Sequence, residues 1–366
     1  MPFNTIKKFK ISTNCVASVY NYKRKKVILN NLPTLLWIEP TNKCNIKCIM
    51  CPNKNIPKET IGFMNWETYR KIINEASEFV SSAYLLLGGE SMLHKDIYKM
   101  IRYARDNNIR PLLNTNGTML ISEKNRHALL ESGIMHITFA LDGYNKETYE
   151  KVRVGADFEN TINGIIEFLK EKKKRGLREP YIAITTLLVG IDDYKNKNLE
   201  KQEFYRLFKG LSVDEFIVKT PNTWGGTFAN TDKFYHHNIS RNKFYPCSHL
   251  WSTMSICWDG TVVPCCFDFF KTYILGNVNQ KTLKEIWNDK PMIQLRHSML
   301  NNTYMSFNKL CKDCVILHID PVLGIPAGMR TTIKDTITNL IGIKTEKYLI
   351  KVAKKLSPSY SLWIDK

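Results

Sequence analysis

At 366 residues, 43% of them hydrophobic, the chain can bury one large core plus a smaller one, and no apolar run reaches the ~18 residues of a membrane span. The formal net charge is +19, and residues 1–30 carry Lys7, Lys8, Lys10, Lys23, Arg24, Lys25 and Lys26 without an acid. Such a charge reports on association rather than fold. It admits a lysine-rich proteome, an anionic substrate, an acidic electron donor or a membrane surface, and with no nucleic-acid-binding module beside it no nucleic acid is expected. The N-terminus has no signal-peptide apolar region, so a cytoplasmic location is expected.

The first predicted element is a buried strand, Leu35–Ile38. Cys44, Cys48 and Cys51 follow it in a C-x3-C-x2-C loop. A helix is predicted over 68–80, where Tyr69, Ile72, Ile73 and Ala76 recur at helical spacing. Strands over 83–87, 110–113, 135–141, 181–188 and 215–218 then alternate with helices over 96–107, 122–132, 158–174 and 200–208. Six strands joined by helices predict a parallel sheet with right-handed crossovers. They are too few for a closed eight-stranded barrel, and the pattern admits a partial barrel or an open doubly wound sheet. In both, ligands sit at the carboxyl ends of the strands, where the cysteine loop lies. Gly88-Gly89-Glu90, Asn114-Thr-Asn-Gly117 and Leu141-Asp142-Gly143 occupy the next three strand ends. His94 is read as a surface or helix-start residue.

Ten cysteines without a secretion signal point to metal or redox chemistry. Nine fall in two groups, 44–51 and 247–314, and Cys15 reads as an ordinary buried thiol. Three thiolates on one loop can hold three corners of an iron-sulfur cube and leave the fourth iron open to a small molecule. A zinc knuckle or buried structural cysteines are the plain alternatives.

The C-x3-C-x2-C loop and the strand-end motifs in order resemble the radical SAM enzymes. The resemblance covers about residues 34–320 and implies a partial (β/α)6 barrel. It implies that a 4Fe-4S cluster on Cys44, Cys48 and Cys51 chelates S-adenosylmethionine (SAM). It further implies that Met50 packs near the adenine, that Gly88, Gly89 and Glu90 bind the SAM amino group, and that Asn114 lies in a cofactor-contacting turn. Asp142 would reach the ribose and Arg153 would pair with the SAM carboxylate, as a guanidinium fork suits. The family pattern S-x-D-G is broken by Ala140, which removes one hydroxyl.

Residues 220–245 read as a linker or substrate-facing loop. Beyond them, Cys247 precedes a hairpin that turns at Asp259-Gly260 and ends at Cys265, and Cys311-Lys-Asp-Cys314 follows a helix near 284–287. With Leu275-Gly-Asn277 and Glu285-Ile-Trp287, this resembles the SPASM or twitch extension of radical SAM enzymes. The resemblance assigns an auxiliary 4Fe-4S cluster to Cys247, Cys265, Cys311 and Cys314, and a structural zinc is the alternative. Cys257 and Cys266 are spares, and on an extended strand Cys266 would point away from Cys265.

The predicted domains are a basic extension (1–33), the radical SAM core (34–225), the auxiliary-cluster domain (226–325) and a basic tail (326–366). The tail reads as two amphipathic helices, with Ile333, Ile337, Leu340 and Ile341 on the face of the first and Tyr348, Leu349, Val352 and Leu356 on that of the second; packing against the catalytic domain is their expected role. The resemblance implies SAM cleavage to a 5'-deoxyadenosyl radical, fed by a flavodoxin- or ferredoxin-like donor, and oxidation of a polar, sugar-like small molecule. The alternative is a maturase for a ribosomal peptide.

Overall fold

The structure is a computed structural model that describes residues 5–187, 189, 198–219, 224, 242–306, 309–321 and 324–341. Helix α1 (Thr5–Lys23) precedes strand β1 (Leu35–Ile38), and the cysteine loop contains a two-residue strand, β2 (Lys47–Cys48). Then α2 (Trp66–Ala76), β3 (Ser82–Leu85), α3 (Ile97–Asp106), β4 (Arg110–Thr115), α4 (Glu123–Glu131) and β5 (His136–Ala140) alternate. After α5 (Lys146–Val152) and the short β6 (Arg153–Val154), α6 (Phe158–Lys174), β7 (Tyr181–Leu187), α7 (Asn198–Arg206) and β8 (Glu215–Lys219) complete the repeat. The helices form where the pattern places them. In α2 the side chain of Asn65 accepts from Thr68 N, and Tyr69, Ile72, Ile73 and Ala76 are all buried.

The six predicted strands lie parallel in the order β1-β3-β4-β5-β7-β8, and β8 does not pair back onto β1, as a partial barrel requires. Side chains alternate across the pleat. Leu36, Ile38, Ala83, Leu85, Leu113, Ile137, Phe139, Ile182 and Ile184 join the core under the helices. The opposite parity, Trp37, Tyr84, Leu112, His136 and Tyr181, is aligned by register along the concave face. There Trp37 stacks on Tyr84 with ring centroids 4.3 Å apart.

The second half adds α8 (His249–Ser252), β9 (Thr253–Ile256), β10 (Thr261–Val263), β11 (Gly276–Asn277), α9 (Leu283–Trp287), α10 (Lys290–Leu300) and α11 (Ala327–Ile341). The predicted hairpin is β9–β10, turning at Gly260 with φ +85°. It is not a separate sheet: β9 pairs parallel to β1, with Ser255 beside Trp37, so one nine-stranded sheet runs through both halves.

The amino ends of the strands are covered by α1, α8 and α11. Ser18 of α1 donates to the Trp251 carbonyl at 2.7 Å, and Ile11 and Cys15 are buried. Helix α11 packs here, with the expected stripe only partly inside: Ile333 rests against the main core. Ile333, Ile337 and Leu340 are half-buried and Ile341 is 49% exposed, whereas Met329, Thr332, Asp335 and Thr336 are buried. The reason is the polarity of the floor: Asp335 accepts from the hydroxyls of Ser81 (2.6 Å) and Ser82 (2.7 Å) and pairs with Arg110 (3.3 Å). The expected second tail helix and most of the loop at 220–245 lie outside the described residues. Among the described residues no helix is long and apolar enough to cross a membrane.

Candidate active site at the carboxyl ends of the strands

Cys44, Cys48 and Cys51 lie on the loop that leaves β1. That loop is held by a ribbon in which β2 pairs antiparallel with β6, placing Cys48 opposite Arg153. Burial raises the thiols of Cys44 to about 11 and of Cys51 to about 12, and neighbouring thiols add to the shift. Cys48 is raised as well, chiefly by burial. The three therefore sit close enough to feel one another's charge, although among the described residues no three His, Cys, Asp or Glu side chains stand in coordinating geometry. Soft sulfur donors that stay protonated until a metal arrives suit an iron-sulfur cluster, whose binding releases the protons.

The turn after β3 rests on this loop. A Cβ on Gly89 would lie 2.3 Å from the Thr41 carbonyl oxygen and 2.5 Å from that of Lys43, so only glycine allows the approach. Gly88 N donates to Glu39 Oε1 at 3.0 Å, and Glu90 N to the Lys43 carbonyl at 2.8 Å. The Glu90 carboxylate is buried and accepts from Met92 N, Thr115 Oγ1 and Asn116 N at 3.1, 2.9 and 2.8 Å; burial raises its pKa. Asn116 also donates to Asn45 of the cysteine loop at 2.9 Å. In the segment after β4 it is thus Thr115 and Asn116 that support Glu90, while Asn114 falls on the concave parity, half-buried. Met50 is buried in the main core.

Asp142 and Arg153 form a buried pair at 2.6 Å, with side-chain exposures of 0% and 6%. Asp142 Oδ1 accepts in addition from Leu187 N at 2.8 Å. Both oxygens therefore have protein partners, and Asp142, with no exposed side-chain surface, steadies Arg153 and β7. Burial works against the Arg153 charge, but Asp142 and Cys48 outweigh it and raise its pKa. Its Nε has no hydrogen-bond partner among the described residues. A buried guanidinium with a spare donor beside the cysteine loop is suited to a carboxylate ligand.

Cys247, Cys265, Cys311 and Cys314 lie within electrostatic reach of one another, short of coordinating geometry among the described residues. Burial raises every one of them; Cys265 feels Cys311 and Cys247, Cys311 feels Cys314 and Cys247, and Cys247 feels Cys314. Cys266 is not turned away as an extended strand would require. Strand β10 ends at Val263, residues 265–266 lie in a bend and turn, and Cys266 feels Cys247 and Cys314. Cys257 is buried with Leu87, Val263 and Phe269 in a small apolar cluster against which both Cys51 and Cys266 pack, so this cluster touches both cysteine groups.

Glu39, which belongs to none of the motifs, is a further member of the site. It is 2% exposed, its Oε1 takes Gly88 N, and its Oε2 takes Trp258 N of the hairpin at 3.2 Å. A carboxylate closing an apolar strand was the available signal. His94 is buried rather than at the surface; Asp96 N donates to its Nδ1 (3.1 Å), so Nε2 carries the proton and donates to the Met64 carbonyl (2.8 Å).

Residues 38–201 match the family model described as the radical SAM superfamily, and residues 247–315 the one described as an iron-sulfur cluster-binding domain, SPASM. The chain is 26% identical over 324 residues to the tungsten-containing aldehyde ferredoxin oxidoreductase cofactor-modifying protein of Pyrococcus furiosus, covering 76% of this chain and 86% of that one. It is 31% identical over 143 residues to the AdoMet-dependent heme synthase of Methanosarcina barkeri, covering 38% and 40%. Among solved structures, Streptococcus suis SuiB bound to precursor peptide SuiA superposes with TM-score 0.59 at 18% identity over 82% of this chain and 74% of that one. BtrN in complex with AdoMet and 2-DOIA gives 0.53 at 19% over 78% and 94%. At such identities the structural likeness is one of fold.

Proposed function

Because the chain belongs to the radical SAM superfamily and carries an SPASM iron-sulfur cluster-binding domain, we propose that it is an oxidoreductase that removes hydrogen from a polar, sugar-like small molecule. When bound, the family's 4Fe-4S cluster supplies the electron for SAM cleavage, which yields a hydrogen-abstracting 5'-deoxyadenosyl radical. Residues 34–225 form the radical SAM core and 226–325 the auxiliary-cluster domain. Cys44, Cys48 and Cys51 hold the catalytic cluster. Arg153, fixed by Asp142, grips the SAM carboxylate; Gly88, Gly89 and Glu90 shape the amino-group site; Met50 lies on the adenine side and Asn114 faces the cofactor from β4. Cys247, Cys265, Cys311 and Cys314 hold an auxiliary cluster, a destination for the electron that a substrate radical must lose. A flavodoxin- or ferredoxin-like donor fits the +19 charge, since such carriers are acidic.

The observation that carries this reading is Arg153, buried against Asp142, paired through its backbone with Cys48 and left with a spare donor. Iron, sulfide and zinc in anaerobically reconstituted protein test it. About eight irons are expected, falling to about four when Cys44, Cys48 and Cys51 become alanine. Replacing Cys311 and Cys314 by alanine leaves SAM cleavage intact and abolishes oxidised product. Zinc alone, or unchanged turnover in the second variant, refutes the assignment.

A further inference from the structure

The strand end at β5 carries an unexpected gap. The resemblance gives positions 140 and 142 to the SAM ribose, yet Ala140 has no polar group. Asp142 is fully buried, with one oxygen on Arg153 and the other on Leu187 N. A ribose bound here would meet neither hydroxyl nor accessible carboxylate.

The adjacent strand offers a replacement. Thr185 of β7 is the register partner of Ala140, and Leu141 N donates to its carbonyl at 2.8 Å. Ile182 and Ile184 belong to the core under the helices, so alternation turns Thr185 to the concave side, the side of Ala140. Thr185 is 6% exposed and its Oγ1 has no hydrogen-bond partner among the described residues. A buried hydroxyl without a partner costs roughly 1–3 kcal/mol unless something satisfies it. Rotation about χ1 carries Oγ1 among the staggered wells, so that a ligand on the concave side can draw it into a hydrogen bond.

We propose that Thr185 supplies the ribose-binding hydroxyl that Ala140 lacks, so that this contact has moved one strand along the barrel rim. The proposal rests on the SAM-binding reading above. Neighbouring parallel strands lie ~4.8 Å apart, so a ribose between β5 and β7 is within hydrogen-bonding reach of a hydroxyl on either. It makes Thr185 a cofactor-binding residue, and it makes positions 140 and 185 exchangeable.

SAM affinity of the anaerobically reconstituted full chain, measured by equilibrium dialysis, tests this without recourse to turnover. Thr185→Val keeps the branched shape and removes the hydroxyl. It should weaken SAM binding about tenfold, the upper range for one neutral hydrogen bond, with iron content and near-UV circular dichroism unchanged. Adding Ala140→Ser should recover most of the loss, a rescue that a merely structural role would not give. With 2'-deoxy- and 3'-deoxy-SAM, one analogue should bind wild type about tenfold worse than SAM yet bind Thr185→Val no worse than SAM does, as coupled partners require. Thr185→Val that binds SAM like wild type overturns the proposal, as does a loss that neither Ala140→Ser nor either analogue changes. Wild type that holds its iron but binds no SAM refutes the underlying reading instead.

Discussion

Arg153 is the residue on which most of the site converges, and Asp142 supplies its counter-charge and aims it. The pair is almost wholly out of water. Removing one partner of such a pair leaves an uncompensated buried charge. Asp142→Asn keeps an oxygen for Leu187 N but deletes the counter-charge. It should cost about 3–5 kcal/mol of stability and lower SAM affinity; anaerobic urea unfolding and SAM titration measure the two, and a variant of unchanged stability would show that solvent screens the pair. The motif in the sequence identifies both residues, eleven apart. It does not disclose that both carboxylate oxygens have partners inside the protein, because Leu187 N comes from another strand.

At the scale of elements, Glu39 ties three together: the end of β1, the turn after β3 through Gly88 N, and the hairpin through Trp258 N. Burial lifts its carboxyl from 4.5 to about 7, against the pull of those two donors. The folded chain then keeps a proton that the unfolded chain has lost between pH 4.5 and 7. Stability contributed by this group therefore falls as pH rises through that window, by up to about 3 kcal/mol at 1.36 kcal/mol per unit. Glu39→Gln cannot titrate. Urea unfolding of the apo-protein across the window should show wild type losing stability relative to Glu39→Gln, and parallel profiles would refute the shift. The same region shows why the hairpin was legible but its location was not. Asp259-Gly260 is a local turn signal, whereas pairing of β9 with β1 joins residues more than two hundred positions apart.

Across the whole molecule the two ends of the sheet do different work. Cysteines, glycines and the Arg153 pair gather at the carboxyl ends, while α1, α8 and α11 close the amino ends. The key to that floor is Asp335, which answers Ser81, Ser82 and Arg110 together. Asp335→Ala leaves Arg110, 7% exposed, without its carboxylate, and should destabilise the chain by about 3–5 kcal/mol. SAM affinity should stay the same, since the floor lies at the far end of the strands; thermal unfolding and SAM titration check both. Loss of SAM binding with unaltered stability would contradict this division.

The chain by itself determined its six βα repeats, the chemistry of its two cysteine groups and the strand ends that carry the motifs. These follow from short-range rules: side-chain period, turn residues and ligand spacing act over a few residues and survive in any fold that obeys them. It took the folded chain to show that the hairpin extends the main sheet, that α11 buries Met329, Thr332, Asp335 and Thr336 more deeply than Ile333 and Ile337, and that Cys266 lies within electrostatic reach of Cys247 and Cys314. Folding also places Thr185 beside Ala140. Each of those outcomes depends on which segments, far apart in the chain, come to lie side by side, and no local pattern of side-chain period or turn residues specifies that.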